Sequence, residues 1–156
     1  MSVEIPKRGT RGASLPSVPA PLKGVLLWLY EQVQRRRGVP LVRLTTIGAR
    51  SGEQRTVTLR VLVDGPGRWL VVASLGGAAR NPAWLHNLRA HPDRVTLNLG
   101  TEEFPVTAVT LTPAEREQTW PRIVREVPGF ADYQKNTDRV IPVVRLTRTT
   151  RSSPTV

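Results

Sequence analysis

The chain has 156 residues and carries 23 lysines and arginines against 12 aspartates and glutamates, so its formal net charge is +11. This length favours one domain with its own core, and the hydrophobic share of 39% excludes a disordered chain. Cysteine is absent, which excludes disulfides, thiol catalysis and cysteine-bound zinc and fits a reducing compartment.

Arginine supplies almost all of the excess positive charge, because lysine occurs only at positions 7, 23 and 135. Arginine binds phosphates and carboxylates with two hydrogen bonds at once, so nucleic acid, an anionic membrane surface or a polyanionic small molecule could each be a partner. Alternatively, the arginines reflect the base composition of the genome and have no binding function.

The first 38 residues divide into an arm and a helix. Residues 1–20 are rich in proline, serine, glycine and basic residues, which is typical of a flexible basic arm. Residues 21–38 have the periodicity of an amphipathic helix, ended by Gly38, with cations at 35–37 that suit its dipole. We expect the rest of the domain to bury its apolar stripe, which consists of Leu22, Val25, Leu26, Leu29 and Val33.

Two further apolar residues of this helix, Leu27 and Trp28, fall outside the stripe. A helix apolar on more than one face has three interpretations. It lies at a membrane interface, it forms a mobile lid over a hydrophobic site, or it packs into a dimer or domain core.

Residues 39–148 are predicted to form the main domain, and residues 149–156 a polar tail. Strands are expected at 41–46, 55–63, 69–74, 95–99, 103–111 and 141–146. Between them, Asn81 should cap a helix that begins at Pro82, and a capping box from Thr112 to Glu115 should open another. A short helical stretch follows at 131–137. Tight turns dominate, so the sequence predicts a mainly β fold with inserted helices (α+β), a small antiparallel barrel or sandwich.

Several kinds of catalytic site are missing from the sequence. The histidines, His86 and His91, are five residues apart and do not share a helix face, so no metal-ligand set is expected. We find no nucleophile elbow, no P-loop and no dinucleotide-binding motif. If the protein is an enzyme, a bound cofactor should supply the chemistry.

The sequence does contain features that suit an anion or a planar ring. A basic turn carries Arg50, Ser51, Gly52 and Arg55, and it either binds an anion or is merely solvated. The two glycines at 76–77 lead into a helix. The N-terminus of that helix either binds an anion or is capped by its own residues. The aromatic residues at 84 and 133 either flank a planar ring or belong to the core.

Three segments together resemble the deazaflavin-dependent nitroreductase family. They are TTIGARSGEQRTVTL, VVASLGGAARNPAWLHNLRAHP and VPGFADYQKNTDRVIPVVRL, in the order and spacing of that family. The resemblance runs from about Leu41 to Leu146. It implies a split antiparallel β-barrel, similar to FMN-binding proteins, and coenzyme F-420, a deazaflavin with a phosphate and an anionic glutamate tail.

The resemblance also implies roles for individual residues. The basic turn would meet the phosphate and tail, and Ser74 and Tyr133 would act at the reactive carbon and on the acceptor side. The residues implied to bind the cofactor are Arg50, Ser51, Gly52, Arg55, Leu59, Ala73, Ser74, Leu75, Gly76, Gly77, Ala78, Trp84 and Asn87. Three positions depart from the pattern. Many members have proline at Thr58, and some nitroimidazole-reducing members have tyrosine at Arg60 and Phe130.

The function implied is hydride transfer from reduced F-420 to a small organic acceptor such as a quinone or a nitroaromatic. Alternatives are a non-catalytic carrier of F-420, FMN, haem or lipid and a basic nucleic-acid-binding module. Against the last, aromatic residues do not alternate with the arginines as a stacking platform requires. We expect a cytoplasmic protein, with residues 22–37 as a peripheral contact to the inner face of an anionic membrane. The sequence leaves the oligomeric state open.

Overall fold

The computed structural model describes residues 2–15, 17, 19–36 and 40–149. The predicted helix end at Arg37 and Gly38, the side chain of Arg35 and the tail from residue 150 lie outside the described residues.

The described residues form one antiparallel sheet that curls into a half-barrel, which confirms the predicted mainly β fold with inserted helices. The strand order is β2-β1-β5-β6-β7-β4-β3. The strands are β1 (Leu41–Ile47), β2 (Gln54–Arg60), β3 (Leu62–Val63), β4 (Arg68–Val72), β5 (Val95–Asn98), β6 (Glu103–Thr110) and β7 (Val143–Arg148).

One predicted strand, 55–63, is divided in the structure into β2 and β3. The break falls at Val61, whose backbone N–H donates to the carbonyl of Pro40 at 3.3 Å instead of to a strand. Because β2 and β3 stand at opposite ends of the strand order, this break carries the chain across the open side of the curl.

Four helices accompany the sheet in the described residues: α1 (Ala20–Arg36), α2 (Ala83–Ala90), α3 (Pro113–Glu126) and α4 (Gly129–Asn136). The predicted capping box is confirmed, because Thr112 and Glu115 each bond the other's backbone at the start of α3. The predicted cap of α2 is wrong. Pro82 takes that position, and the Asn81 amide is engaged elsewhere, with Arg139 and the carbonyl of Pro6.

Two apolar clusters fill the fold. One lies inside the half-barrel, around fully buried residues such as Leu44, Leu97 and Leu146. The other lies where α3 and α4 cover β4 and β7, around Ile123 and Ile141. The loops and helix ends that surround the open side of the curl are thereby fixed to a rigid base.

The arm predicted to be flexible instead runs along the fold and bonds to it. Val3 is only 3% exposed and joins the cluster inside the half-barrel. The backbone N–H groups of Gly9 and Ala13 donate to the carbonyls of Ala79 and Gly77 at 2.8 and 2.9 Å. These contacts hold the arm in place because an extended chain offers unpaired backbone donors that a neighbouring loop can accept.

Helix α1 also departs from the expectation, because its apolar stripe is not buried. Leu22, Val25, Leu26, Leu29 and Val33 are each between 46% and 54% exposed, and Trp28 is 58% exposed. Among the side chains of the helix that the structure describes, the buried one is a carboxylate, that of Glu31. Within the described residues, no helix has the length and apolarity needed to cross a bilayer.

Candidate functional site

A cleft of about 780 Å³ opens between the basic turn after β1 and the start of α2. We call it the arginine cleft, because three arginines line it: Arg50, Arg55 and Arg80. Its other walls are the outer part of β2 and the face of α2 that carries Trp84 and Asn87. The cleft therefore combines exposed cations with a buried aromatic ring and a buried polar amide.

The basic turn is shaped by hydrogen bonds within itself. The N–H of Gly48 donates to the carbonyl of Glu53 at 2.8 Å, and the N–H of Gly52 donates back to Gly48 at 3.0 Å. Gly52 has a φ of +69°, a conformation that favours glycine. Arg55 forms an exposed ion pair with Glu53 at 3.3 Å, so its guanidinium is partly neutralised, whereas no such pair involves Arg50 among the described residues.

Asn87 connects α2 to this turn. Its Oδ1 accepts from the N–H of Ala49 at 3.0 Å, and its Nδ2 donates to the hydroxyl of Thr46 at 3.1 Å. Both atoms are thus occupied by the protein, and the side chain is only 9% exposed. The structural role of Asn87 is therefore to fix the basic turn against α2.

A glycine loop, residues 74–78, forms the border between α2 and α4. Leu75, Gly76 and Gly77 all have positive φ, at 43°, 63° and 85°. Leu75 is the one non-glycine residue with positive φ among the described residues, and it lines the arginine cleft. Strain of this kind is retained where the surroundings fix it, often at a binding site. A Cβ at Gly77 would lie 2.6 Å from the carbonyl oxygen of Tyr133, so only glycine allows α4 this close.

Arg139 supports the glycine loop through hydrogen bonds to its backbone. Its guanidinium donates to the carbonyls of Ala73, Ser74 and Ala78 and to Oδ1 of Asn81, all at 3.0 to 3.1 Å. The residue is 2% exposed, and this burial lowers the pKa of its guanidinium. Because its polar atoms are matched to carbonyls, Arg139 fixes the loop without a carboxylate partner.

A second, smaller cavity of about 160 Å³ lies on the other side of the glycine loop. We call it the tyrosine cavity, because Tyr30 of α1 and Tyr133 of α4 both line it. Ser74 and Gly76 belong to this cavity, whereas Leu75 between them belongs to the arginine cleft. Along β2, residues 55–57 line the cleft and 58–60 line the cavity, so the two spaces share two walls.

One side-chain atom beside the tyrosine cavity has no partner. Nε of Arg60 is buried and makes no hydrogen bond, and it is the one such side-chain nitrogen or oxygen among the described residues. An unsatisfied buried donor costs about 1–3 kcal/mol of stability. The fold therefore contains a buried hydrogen-bond donor here that no atom of the described residues satisfies.

The residues predicted for the site are distributed between these spaces. The arginine cleft receives Arg50, Ser51, Arg55, Leu75, Trp84 and Asn87, and the tyrosine cavity receives Leu59, Ser74, Gly76 and Tyr133. Four others line neither space: Gly52 at the turn tip, and the buried Ala73, Gly77 and Ala78.

Sequence reasoning gave no role to two residues that the structure brings to the site. Arg80 lines the arginine cleft, where His86 also lies, and Arg139 supports the glycine loop. Arg80 lies two residues after the glycine loop, and this position was the available signal for it. Arg139 carried no local signal, because its partners are about 60 residues away.

Comparisons with known proteins agree on one family. The family model described as F420H2-dependent quinone reductase matches residues 30–148. An F420H2-dependent quinone reductase of Mycobacterium tuberculosis is 42% identical over 113 residues, which cover 70% of this chain and 74% of that relative. A solved F420-H2 dependent reductase, FDR-A, is 41% identical with a TM-score of 0.61, covering 69% of this chain and 93% of its own. Another solved structure, described as a domain-swapped dimer, is 36% identical with a TM-score of 0.61, covering 78% and 98%.

Proposed function

Since the chain belongs to the F420H2-dependent quinone reductase family, and is thus an oxidoreductase that uses reduced coenzyme F-420, we propose how its two cavities divide that reaction. The arginine cleft binds F-420, and the tyrosine cavity holds the quinone or related acceptor. The observation that carries this division is the pair of shared walls, because β2 and the glycine loop bring a cationic cleft and a hydroxyl-lined cavity into direct contact.

The side chains of the arginine cleft fit such a cofactor. Guanidinium groups bind phosphate and carboxylate groups bidentately, and Arg50, Arg55 and Arg80 stand where an anionic tail would enter. Trp84 and Leu75 offer apolar surface for a flat ring system deeper in the cleft. When bound, reduced F-420 supplies the hydride, and the protein supplies orientation and electrostatics.

On the acceptor side, the protein contributes positioning. Ser74 of the glycine loop and Tyr133 of α4 both line the tyrosine cavity, and we infer that their hydroxyl groups contact the acceptor. Phe130, which is 5% exposed, packs against Tyr133 with ring centroids 6.2 Å apart and limits its rotation. Holding the acceptor carbonyl against fixed hydroxyls removes the entropic cost of aligning two reactants.

Binding of F-420 provides the first test. Replacement of Arg50 by alanine should weaken F-420 binding by about 1–2 kcal/mol, toward the lower part of the range for charged hydrogen bonds because the turn is exposed. Arg55→Ala should cost less, because Glu53 already pairs with Arg55. Arg125→Ala, which lines neither cavity, is the control. The measurement is tryptophan quenching as F-420 is added, reported by Trp84 in the cleft.

The same titration separates the alternatives. FMN, haem and an oligonucleotide, each added in place of F-420, should bind more weakly than F-420. Tighter binding of FMN would move the cofactor assignment to the flavin. An unchanged F-420 affinity in the Arg50 and Arg55 variants would remove the basic turn from the site.

We propose a second role for α1, as a lid that leans on an anionic membrane, where quinones dissolve. Its apolar side chains are exposed over the whole helix, whereas Tyr30 lines the tyrosine cavity. An exposed apolar helix on a chain of net charge +11 is suited to an anionic surface. The role thereby links the acceptor cavity to the phase that contains lipophilic acceptors.

Sedimentation with anionic vesicles tests this role. The native protein should pellet with the vesicles, and the double variant Leu26→Gln/Leu29→Gln should remain in solution. Val63→Gln, which changes a more exposed apolar residue on β3, is the control and should pellet as the native protein does. A native protein that stays in solution would refute the membrane contact.

A further inference from the structure

Arg60 ends β2 and lines the tyrosine cavity together with Tyr30, Ser74 and Tyr133. Its Nε is buried and lacks a hydrogen-bond partner. None of the ion pairs among the described residues includes its guanidinium. The cavity therefore contains a cation that the described part of the protein does not neutralise.

The other arginine beside the glycine loop shows that this fold can satisfy a buried guanidinium. Arg139 makes four hydrogen bonds to carbonyl and amide oxygens and is fully enclosed. Arg60 lines the same cavity as Ser74, whose carbonyl Arg139 binds, and lacks such acceptors at Nε. An arginine that borders a cavity and leaves a buried donor unsatisfied is expected where a ligand binds the rest of its guanidinium.

Quinone reduction supplies the missing acceptor. The quinone gains a hydride, which brings two electrons and one hydrogen, and it gains one proton from water; the reduced cofactor is oxidised by two electrons and releases the balancing proton. Between hydride and proton transfer, the quinone oxygen carries a negative charge. A preorganised cation placed at that oxygen stabilises the transition state in a site shielded from water.

We propose that Arg60 binds the acceptor oxygen on which this charge develops, a role that rests on the proposed function. Ser74 and Tyr133 then position the acceptor, and Arg60 stabilises its anionic form. The guanidinium also selects the acceptor class, because molecules with a carbonyl or nitro oxygen can reach it and hydrocarbons cannot satisfy it. In this role Arg60 is a catalytic residue that touches the substrate.

The first test needs no turnover. A difluorophenol that ionises near neutral pH imitates the anionic acceptor, and fluorine NMR reports its ionisation in the presence of the full chain with oxidised F-420. The native protein should lower the apparent pKa of the bound phenol by about one unit. Arg60→Met should abolish this effect, Arg60→Lys should restore part of it, and the exposed control Arg94→Met should leave it unchanged.

Kinetics and stability complete the test. With menadione as acceptor, Arg60→Met should lower kcat about 100-fold, the effect of removing one donor from an oxyanion site, and leave the F-420 dissociation constant within twofold. Its melting temperature should be unchanged or higher, whereas that of Arg139→Met should fall. A lower melting temperature of Arg60→Met with a persistent phenol shift would make Arg60 structural and overturn the proposal.

The outcome also distinguishes this proposal from the proposed function. If the native protein fails to bind F-420, the cofactor assignment is refuted, whatever the phenol experiment shows. If F-420 binds and menadione is reduced at the same rate by the Arg60→Met variant, the role of Arg60 alone is refuted.

Discussion

The arm (residues 2–15) and helix α1 both precede the sheet, yet they are attached in opposite ways. The arm is mostly polar, and it buries Val3 to 3% exposure, whereas α1 is largely apolar and leaves Trp28 58% exposed. The difference lies in the backbone. A helix satisfies its own N–H and C=O groups, whereas an extended segment must find partners elsewhere and gains attachment when it does. Composition alone therefore misjudges which segment a fold will hold.

Substitutions at two glycines test this difference between the arm and α1, and their effects on stability are the largest that we expect. A Cβ on Gly12 of the arm would lie 2.2 Å from the backbone nitrogen of Ala79, whereas one on Gly24 of α1 would meet nothing within 4 Å. Gly12→Ala should therefore lower the free energy of unfolding by about 1–3 kcal/mol. Gly24→Ala should raise it by about 0.5–1 kcal/mol, because alanine favours a helix. Urea denaturation measures both.

Equal stabilities for these two variants would mean that the arm is not held against the glycine loop. F-420 titration of Gly12→Ala sharpens the test, because the arm bonds to Gly77 and Ala79 and its displacement should also loosen the cofactor site.

A smaller effect is expected where α1 touches the sheet. Glu31 is 7% exposed, accepts from the hydroxyl of Thr58 at 2.7 Å and lies 3.6 Å from Arg43. Glu31→Gln should weaken this docking by about 1 kcal/mol, and trypsin should then cut at Lys23 several-fold faster. Thr58→Val should have the same effect, and the double variant should add little more.

A double variant that adds the two effects in full would show that Glu31 and Thr58 act independently and that α1 docks in another way. The melting temperature is the control, because α1 buries little apolar surface and its release should leave the core intact.

The smallest effect depends on pH and concerns Asp138. Its carboxylate accepts from the hydroxyl and N–H of Thr10 and from the N–H of Arg11, and these hydrogen bonds, led by the hydroxyl of Thr10, lower its pKa below the ordinary 3.8. Because the folded value is the lower one, the ionised group stabilises the arm at neutral pH, and this contribution is lost as the pH falls below about 3.8.

The melting temperature of Asp138→Asn should therefore change less between pH 5 and pH 3 than that of the native protein. Glu115→Gln should reduce the pH dependence in the same direction, because hydrogen bonds from Arg145 and Thr112 also lower the pKa of Glu115, but it should leave the arm bonded because Glu115 lies on α3. Identical pH profiles for Asp138→Asn and the native protein would contradict this account of the arm.

Local signals in the sequence predicted local structure well. The capping box of Thr112 and Glu115 needs only four consecutive residues, and most strands and turns could be located within a few positions in the same way. The basic turn with Arg50 and Arg55 was found because its charges and glycines are adjacent. The family resemblance then supplied the fold and the chemistry that these short patterns could not specify.

Features that depend on distant partners could not be predicted from the sequence. The break at Val61 follows from a bond to Pro40, and the lost cap at Asn81 follows from competition by Arg139. The unsatisfied Nε of Arg60 is visible only once its neighbours are known not to bond it. In each case the deciding energy lies in a contact that no periodicity or spacing encodes.

The arm also has a consequence for the order of folding during synthesis. Its hydrogen bonds join residues separated by 106 and 128 positions, Glu4 to Thr110 and Thr10 to Asp138. At about 5–20 residues per second, roughly 6 to 25 seconds pass between the synthesis of Thr10 and that of Asp138. The arm is synthesised before its partners and therefore cannot form these bonds until the sheet and α4 have emerged. The glycine loop accordingly acquires the support of the arm late in folding.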